Sequence, residues 1–301
     1  MTANQNLPAR SYQKEFKELL QAVFRTQAYF RDFFGGNIEA LDGVQHNETA
    51  FYVKTSDIPV VVGTAYNKDA DTAFGTGTGN STRFGERTEI IYTDTPVPYT
   101  WEWVYHEGID RHTVNNDMNA AIADRLDLQA QAKIRKFNSK HSEFISSVAG
   151  KVVTLDDLTE QKVNQLFDEL FAHYLDNEVE GVKVARVNAD LYNAIVNGGL
   201  AVKEKGSSIG IDRNEVYMFK DFVIEALPAT LFQEGEIAYT YVPNIGKAFT
   251  GINTARTIES EDFDGVALQG AGKAGEFILD DNKLAVAKVT FSGGSGGGVE
   301  G

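Results

Sequence analysis

The sequence predicts an α+β fold, in which a long β-hairpin, one very long helix and a mixed α/β module follow each other along the chain. Two strand-like runs, Phe51–Ala65 and Arg87–Val104, are rich in β-branched and aromatic residues and flank the polar stretch Tyr66–Arg83. Apolar residues at three-to-four spacing predict the helix between Val114 and Val148. Helix-like and strand-like patterns alternate after it and predict the module.

Composition narrows the classes of function. The chain has 301 residues, 42% of them hydrophobic, which is enough for a sizeable core in one large or two smaller domains. No apolar run approaches the ~18 residues of a membrane span, and the N-terminus lacks the pattern of a signal peptide. The absence of cysteine excludes disulfides, thiolate metal sites and cysteine nucleophiles. Because the net charge is −15, we expect no general binding of nucleic acid.

Residues 1–34 are the basic part of the chain, with five basic and three acidic residues and thus a net charge of +2. Ser11 is placed to cap a helix that ends near Gly35–Gly36. Such a helix could lie on a membrane surface, but we favour burial of its aromatic side chains against the protein or a neighbouring copy. The residues expected to make contacts from this N-terminal arm are Arg10, Lys14, Phe16, Lys17 and Phe24.

The predicted hairpin needs a surface to lie on, because an isolated two-stranded hairpin is at best marginally stable in water. The sequence nearby offers no evident partner, so we expect the hairpin to contact another subunit. The residues expected at this contact are Val60, Val61, Val62, Tyr66, Lys68, Phe74, Arg83, Ile90, Ile91 and Tyr92.

The long helix is predicted from Thr113, as the cap, to Gly150, as the stop, which corresponds to ~37 residues and ~55 Å. This length favours a spine over which other elements pack. A coiled coil would also fit the length, but its apolar seam is diluted by Ala130 and interrupted by His141.

The module after the helix begins with Thr154 and Asp157, which resemble a capping box. An apolar stripe from Val163 to Tyr174 predicts a helix, and Asn188 is placed to cap a short helix over Ala189–Val196. The predicted strands are Val182–Val187, Glu215–Glu225, Ile237–Val242, Glu276–Leu279 and Leu284–Phe291, followed by a flexible Gly/Ser tail at residues 292–301.

Four motifs resemble chemical sites, and each departs from its pattern. The run Gly75–Asn80 lacks the third glycine of a dinucleotide fingerprint, and Gly270–Gly275 lacks the Ser or Thr of a phosphate loop and is better explained as a tight turn. The alternation in Asn67–Asp71 misses the glycine and glutamate of a calcium loop, which leaves a weak surface cation site as the alternative to a solvated loop tip. The histidines of His106–His112 are six residues apart rather than the four of a zinc-protease helix. We therefore predict no catalytic, cofactor or metal site.

Three stretches of the module carry a resemblance to a known family. They are Asn188–Tyr192 (NADLY), Phe222–Pro228 (FVIEALP) and Val242–Lys288, which contains GINTARTIE and FDGVALQGAGKAG. With them the chain resembles the major capsid proteins of tailed bacteriophages with the HK97-type fold, and most closely those of siphophages with Gram-positive hosts. The likeness is specific over residues 182–291, and upstream it rests on the order of the elements.

The resemblance implies a division of the chain into named regions. These would be an N-terminal arm (1–47), an extended hairpin loop (48–108), a peripheral domain with the spine helix (109–150), an axial domain (151–248), a return to the peripheral domain (249–291) and the tail (292–301).

The resemblance also implies a function. The chain would be a structural protein, not an enzyme, that self-assembles through pentamers and hexamers into an icosahedral head shell around double-stranded DNA, which it would contact weakly. A separate scaffolding protein and a portal would be partners, and the shell would assemble in the host cytoplasm as the virion capsid. The alternatives are an encapsulin-like compartment, which shares the fold, and an α/β enzyme of unknown type.

Overall fold

The computed structural model describes most of the chain after the N-terminal 26 residues. The described residues are 27–36, 38–40, 48–69, 73–74, 81–85, 87–114, 117–197, 208–210 and 215–293. The predicted contact residues of the N-terminal arm, from Arg10 to Phe24, lie outside them, as does the part of the tail from residue 294.

The N-terminal segment 27–36 forms successive turns instead of the end of the predicted helix. Both glycines at its end have positive φ, +72° at Gly35 and +89° at Gly36, which is the backbone conformation that glycine adopts without strain. Phe30 and Phe33 are fully buried, so the segment is fixed by the packing of these two side chains and not by the apolar face of a helix. The short strand β1 (Glu39–Ala40) follows.

The hairpin is paired over a shorter length than the sequence predicted. Strands β2 (Thr49–Thr55) and β3 (Thr93–Pro98) pair antiparallel, and the last paired residues are Thr55 and Thr93. The described residues between them form no strand, so the predicted strand ends at Ala65 and Arg87 are wrong. We call residues 56–92 the hairpin extension.

A four-stranded sheet contains the strand that continues from the hairpin. Its members are β4 (Trp101–Asp110), β11 (Gly246–Glu259), β12 (Gly265–Ile278) and β1, in the order β1-β11-β12-β4.

The prediction of a tight turn at Gly270–Gly275 is wrong, because these residues lie within β12. The glycines there leave room for aromatic rings. A Cβ on Gly270 would lie 2.0 Å from Cζ of Tyr105, and one on Gly275 would lie 2.6 Å from Cζ of Phe249.

Helix α1 (Met118–Val148) follows β4 and has 31 residues, or about 46 Å. It begins later than predicted, because Asp117 caps it by accepting a hydrogen bond from the Ala120 amide at 3.0 Å. The predicted apolar seam is correct at Phe137 but wrong at Ala130, which is exposed. His141, which interrupts this seam, is buried, and further polar side chains are buried beside it.

The seven-stranded sheet occupies the rest of the chain. Along the chain its elements and their helices are β5 (Lys151–Leu155), α2 (Glu160–Asp176), β6 (Lys183–Val187), α3 (Ala189–Asn197), β7 (Ser208–Gly210), β8 (Glu215–Phe219), β9 (Phe222–Ala226), β10 (Glu236–Tyr241) and β13 (Val286–Phe291). The order of the strands is β5-β13-β10-β6-β9-β8-β7. Short 3₁₀ helices at Ala229–Leu231 and Asp281–Ala285 precede β10 and β13.

Of three local predictions in this module, one is confirmed and two are wrong. Asn188 caps α3 as predicted, since its Oδ1 accepts from the Leu191 amide at 2.9 Å. Thr154 does not begin a helix, because it lies in β5 and α2 starts only after Thr159. The predicted strand Glu215–Glu225 is two strands, divided by a turn in which Lys220 and Asp221 have positive φ.

Both faces of the seven-stranded sheet are covered. Helices α2 and α3 pack on one face, where Ala185 and Val187 of β6 are buried. The end of α1 and the segment 27–36 pack on the other face, on which Tyr239 and Tyr241 of β10 lie. The first half of α1 instead runs beside β4, so one helix contacts both sheets. The assignment of named peripheral and axial domains stays a prediction.

Candidate interaction surface

The base of the hairpin is anchored to the four-stranded sheet by aromatic packing. The Phe51 ring lies 5.1 Å from that of Phe249 and 5.8 Å from that of Phe277, with both pairs edge to face. Val97 and Ala50 are buried in the same cluster. The paired part of the hairpin is thus packed against the subunit's own sheet.

The hairpin extension exposes apolar side chains that a soluble chain normally buries. Val60, Val61 and Val62 are each more than 80% exposed, and Ile90 and Ile91 are more than half exposed. Tyr66, Lys68, Phe74 and Tyr92 are exposed as well. Nine of the ten predicted contact residues are therefore accessible, whereas Arg83 is half-buried, and whether they contact another subunit stays a prediction.

The tip of the extension is ordered by local contacts among its described residues. The Asn67 amide donates to the Arg83 carbonyl at 3.0 Å, which closes the loop at its base. The guanidinium of Arg83 lies 5.7 Å from the Tyr66 ring centroid and 5.2 Å from that of Phe74. Such cation–π contacts contribute about 0.5–1 kcal/mol at exposed sites. The predicted slack at Gly75–Gly79 lies outside the described residues.

The motifs that resembled metal sites have ordinary structural roles. Oδ1 of Asn67 accepts from the Asp69 amide at 3.0 Å in an Asx turn, and Asp71 of the same alternation lies outside the described residues. His106 lies on β4 and contacts Gln269, whereas His112 follows the strand in a turn. The described residues hold no cluster of three or more metal-ligating side chains. Nor does any helix in the described ranges have the length and apolar character needed to cross a membrane.

A buried arginine joins the N-terminal segment to the seven-stranded sheet. Arg186 on β6 is 5% exposed and pairs with Asp32 at 3.0 Å and with Glu225. Its Nε also donates to the Tyr241 hydroxyl at 3.0 Å. Burial alone would lower the pKa of Arg186, but the nearby Tyr241 and Asp32 raise it, so the side chain stays charged. This network orients structural elements and has no open position for a substrate.

A second buried network joins α1 to the same sheet. Glu236 accepts from Lys288 at 2.8 Å, from Ser146 at 2.7 Å and from Tyr239 at 2.6 Å. Burial would raise the pKa of the Glu236 carboxyl, but these donors together hold it below its ordinary value. Every oxygen is occupied within the fold, which is typical of a structural site.

A third buried pair lies where α1 meets the four-stranded sheet. Glu276 on β12 accepts from the Trp101 indole at 2.9 Å and from the Thr100 hydroxyl at 3.2 Å, and burial raises its pKa. Nε2 of His141 lies 3.6 Å from this carboxylate. Burial lowers the pKa of His141 to about 3, so the imidazole is neutral near pH 7 and the contact is not an ion pair there.

Comparison with known proteins identifies the fold. No family model matches the sequence, and no curated protein matches it. Among solved structures, the capsid of the cyanophage P-SCSP1u superposes with a TM-score of 0.67 at 11% identity, over 94% of each chain. The chain has a capsid-like fold of the HK97 type.

Other solved structures agree with this fold. The mature capsid of bacteriophage PhiM1 superposes with a TM-score of 0.62 at 11% identity, over 92% of this chain and 91% of that one. The SrpI encapsulin of Synechococcus elongatus PCC 7942 reaches 0.53 at 12% identity, over 91% and 90% of the two chains. Capsids and an encapsulin thus share one architecture with this chain.

Sequence reasoning missed the open edge of β4 and the buried polar networks. The alternation Trp101-x-Trp103-x-Tyr105 was interpreted as part of the hairpin, although it continues into a sheet. Its length of ten residues after the break at Tyr99–Thr100 is the signal that could have separated the two strands.

Proposed function

We propose that this chain is a subunit of a closed protein shell and that the hairpin extension contacts the neighbouring copy. The observation that carries the proposal is the extension itself, which exposes a long apolar run on a chain with a capsid-like fold. Apolar side chains that are left exposed together are an aggregation hazard. A neighbouring copy would cover them.

The energy available from this contact is large. Full burial of a Val or Ile side chain contributes about 1.5–3 kcal/mol relative to leaving it exposed. The extension exposes five such side chains, Val60 to Val62 with Ile90 and Ile91, so their burial would contribute on the order of 10 kcal/mol before the costs of association. Salt screens the opposing repulsion between the exposed charges of two acidic copies, so this repulsion weakens as the ionic strength rises.

The geometry of such a contact suits rings and shells. An extension that reaches a different surface on the next copy makes a heterologous contact, which forms closed rings when the rotation closes. Pentamers and hexamers are rings of this kind. Each subunit would then be held by several contacts at once, so its loss from a shell would require breaking all of them.

The finer proposal is a phage head around double-stranded DNA. A separate scaffolding protein, a portal, assembly in the host cytoplasm and a siphophage with a Gram-positive host belong to it. The net charge of −15 supports weak contact with the packaged DNA, because phosphate binding needs clustered Lys and Arg. The second candidate is an encapsulin-like compartment, which the likeness to the SrpI encapsulin supports.

The first experiment removes the tip of the extension. We expect the chain without residues 66–83 to fold, because the ends of the deleted loop are already joined by the hydrogen bond between Asn67 and Arg83. Negative-stain microscopy and sedimentation should show regular shells for the full chain and small species for the deletion variant. Circular dichroism serves as the control for folding. Normal shells from the deletion variant would contradict a role of the tip in assembly, and the rest of the extension is tested by the substitutions at Ile90 and Ile91 below.

A second experiment separates the two candidates. Shells purified from cells are treated with nuclease and their contents analysed. Protected double-stranded DNA of uniform length supports the phage head, whereas a co-purified enzyme without DNA supports the compartment. Small oligomers of the full chain at every concentration would contradict both.

A further inference from the structure

One edge of the four-stranded sheet is open. Strand β4 pairs with β12 from Trp101 opposite Ala274 to Asp110 opposite Gly265. It is the last strand in the order β1-β11-β12-β4, and among the described residues no ladder covers its other edge. An edge strand presents a row of unpaired N–H and C=O groups, which is a template for another strand.

The open edge lies in a groove against α1. The groove has a volume of about 560 Å³, and β4 contributes Trp103, Val104 and Tyr105 to it, while α1 contributes Leu128 and Ala132. Successive residues point to opposite faces of a strand. Because consecutive residues of β4 line the groove, the opening follows the edge of the strand rather than one face of the sheet.

The groove carries positive charge on a chain that is acidic as a whole. Arg125 is neutralised by Glu107, which accepts from its Nε at 2.6 Å. Arg135 and Lys136 also line the groove, and neither makes an ion pair within the described part of the chain. The groove therefore favours an extended segment that is apolar and carries a negative charge.

The hairpin extension contains such a segment at Thr88–Tyr92. It reads TEIIY, with β-branched and aromatic residues and without Pro or Gly, which is the composition of a strand. Its residues are exposed, and no ladder among the described residues includes them. Glu89 is its one charged residue and is acidic. The alternative run Val60–Val62 follows Pro59, which lacks the N–H that a ladder requires.

We infer that the Thr88–Tyr92 segment of a second copy adds to the open edge of β4 as a further strand and fills the groove against α1. Main-chain hydrogen bonds would supply affinity, and the side-chain contacts would fix the register, as in other cases of strand addition. Glu89 would face Arg135 and Lys136. The inference rests on the proposed assembly and names the surface that receives the extension.

Matched substitutions on α1 test the groove. Leu128 lines it and is 52% exposed, whereas Leu126 is 41% exposed on the same helix but does not line the groove. Glutamate is a good helix former, so both changes should leave the helix intact. We expect Leu128→Glu to reduce the assembled fraction at least ten-fold in sedimentation, and Leu126→Glu to change it less than two-fold. Assembly of Leu128→Glu at the wild-type level would overturn the inference.

A mixing experiment separates this inference from the shell function. A copy with Ile90→Asp and Ile91→Asp keeps its groove but loses its strand segment, whereas Leu128→Glu keeps the segment but loses the groove. Mixed together, the two variants have one functional contact and should form one-to-one dimers, although neither forms them alone. If mixed dimers form but the wild-type chain forms no shells, the inference is retained and the proposed shell function is rejected. Shells of the wild-type chain without mixed dimers would retain the shell function and overturn the inference.

Backbone methylation tests strand addition itself. The probe is a synthetic peptide of residues 87–93, and its receptor is the full chain with Ile90→Asp and Ile91→Asp. Alternate N–H groups of a strand point to the same side. One peptide is therefore N-methylated at residues 88, 90 and 92 and a second at residues 89 and 91, and only one of them should lose the hydrogen bonds to β4. We expect one set to weaken binding at least ten-fold and the other to leave it within two-fold. Equal binding of both methylated peptides would overturn strand addition.

Discussion

The buried His141 makes a specific prediction about acid stability. Its pKa is about 3 in the folded chain, against an ordinary value of 6.5, because burial disfavours the charged imidazolium. The unfolded chain therefore binds one more proton than the folded chain between these two values. Stability falls as the pH falls wherever the unfolded state binds more protons, so this residue should destabilise the fold below pH 6.5.

The magnitude follows from the gap between the two pKa values. Each unit corresponds to about 1.4 kcal/mol, so the contribution should reach about 2 kcal/mol at pH 5, about 3 kcal/mol at pH 4 and about 4 kcal/mol at pH 3. The raised pKa of Glu276 acts in the opposite direction, because its folded form holds a proton that the unfolded form has released. Because Glu276 is retained in both proteins of the comparison below, His141 is the titratable side chain that differs between them.

The assay compares His141 with His141→Gln, which has a similar size and does not titrate. Both are placed in the variant without residues 66–83, so that unfolding is measured on unassembled chains. Urea unfolding at pH 7 and pH 5 should show a loss of free energy of unfolding that is about 2 kcal/mol larger for His141 than for the Gln variant. Equal losses in the two proteins would refute the assignment of a neutral buried imidazole.

Three further predictions concern the packing of the fold, and each is checked by urea unfolding of the same shortened chain. Asp32→Ala should cost about 2 kcal/mol, because it removes a charged partner from the buried Arg186, and a loss below 0.5 kcal/mol would contradict the network. Gly275→Ala should cost about 1–3 kcal/mol, because its Cβ would lie 2.6 Å from the fully buried Phe249 ring, and the cost should shrink when Phe249→Leu is added. Asn188→Ala should cost about 1 kcal/mol through loss of the cap of α3, and an unchanged midpoint would contradict that role.

Sequence periodicity predicted the elements that are stabilised by their own local pattern. Helix α1 was predicted because a long run of helical spacing needs no knowledge of its partners. Asn188 was predicted as a cap because capping is a contact between a side chain and an amide three residues away. The resemblance in residues 182–291 added the capsid-like fold, which the solved structures support.

Errors occurred where distant residues decide the conformation. The glycine-rich run Gly270–Gly275 suggested a turn, but in the fold its missing side chains make room for Tyr105 and Phe249. The segment 27–36 was predicted to be helical, yet the ion pair between Asp32 and Arg186 and the burial of its phenylalanines hold it in turns. Arg186 is more than 150 positions from Asp32 in the sequence, so its contact gives no local signal.

The sequence by itself determined the α+β class, the long helix, the hairpin and the accessibility of its apolar extension, because these depend on composition and on spacing within one segment. Only the tertiary structure decided which strand edge stays open, which charges are buried and where α1 lies between two sheets. Those features depend on contacts between residues more than a hundred positions apart, such as His141 with Glu276 and Trp101 with Glu276. Pairing at that distance leaves no periodic signal in the sequence.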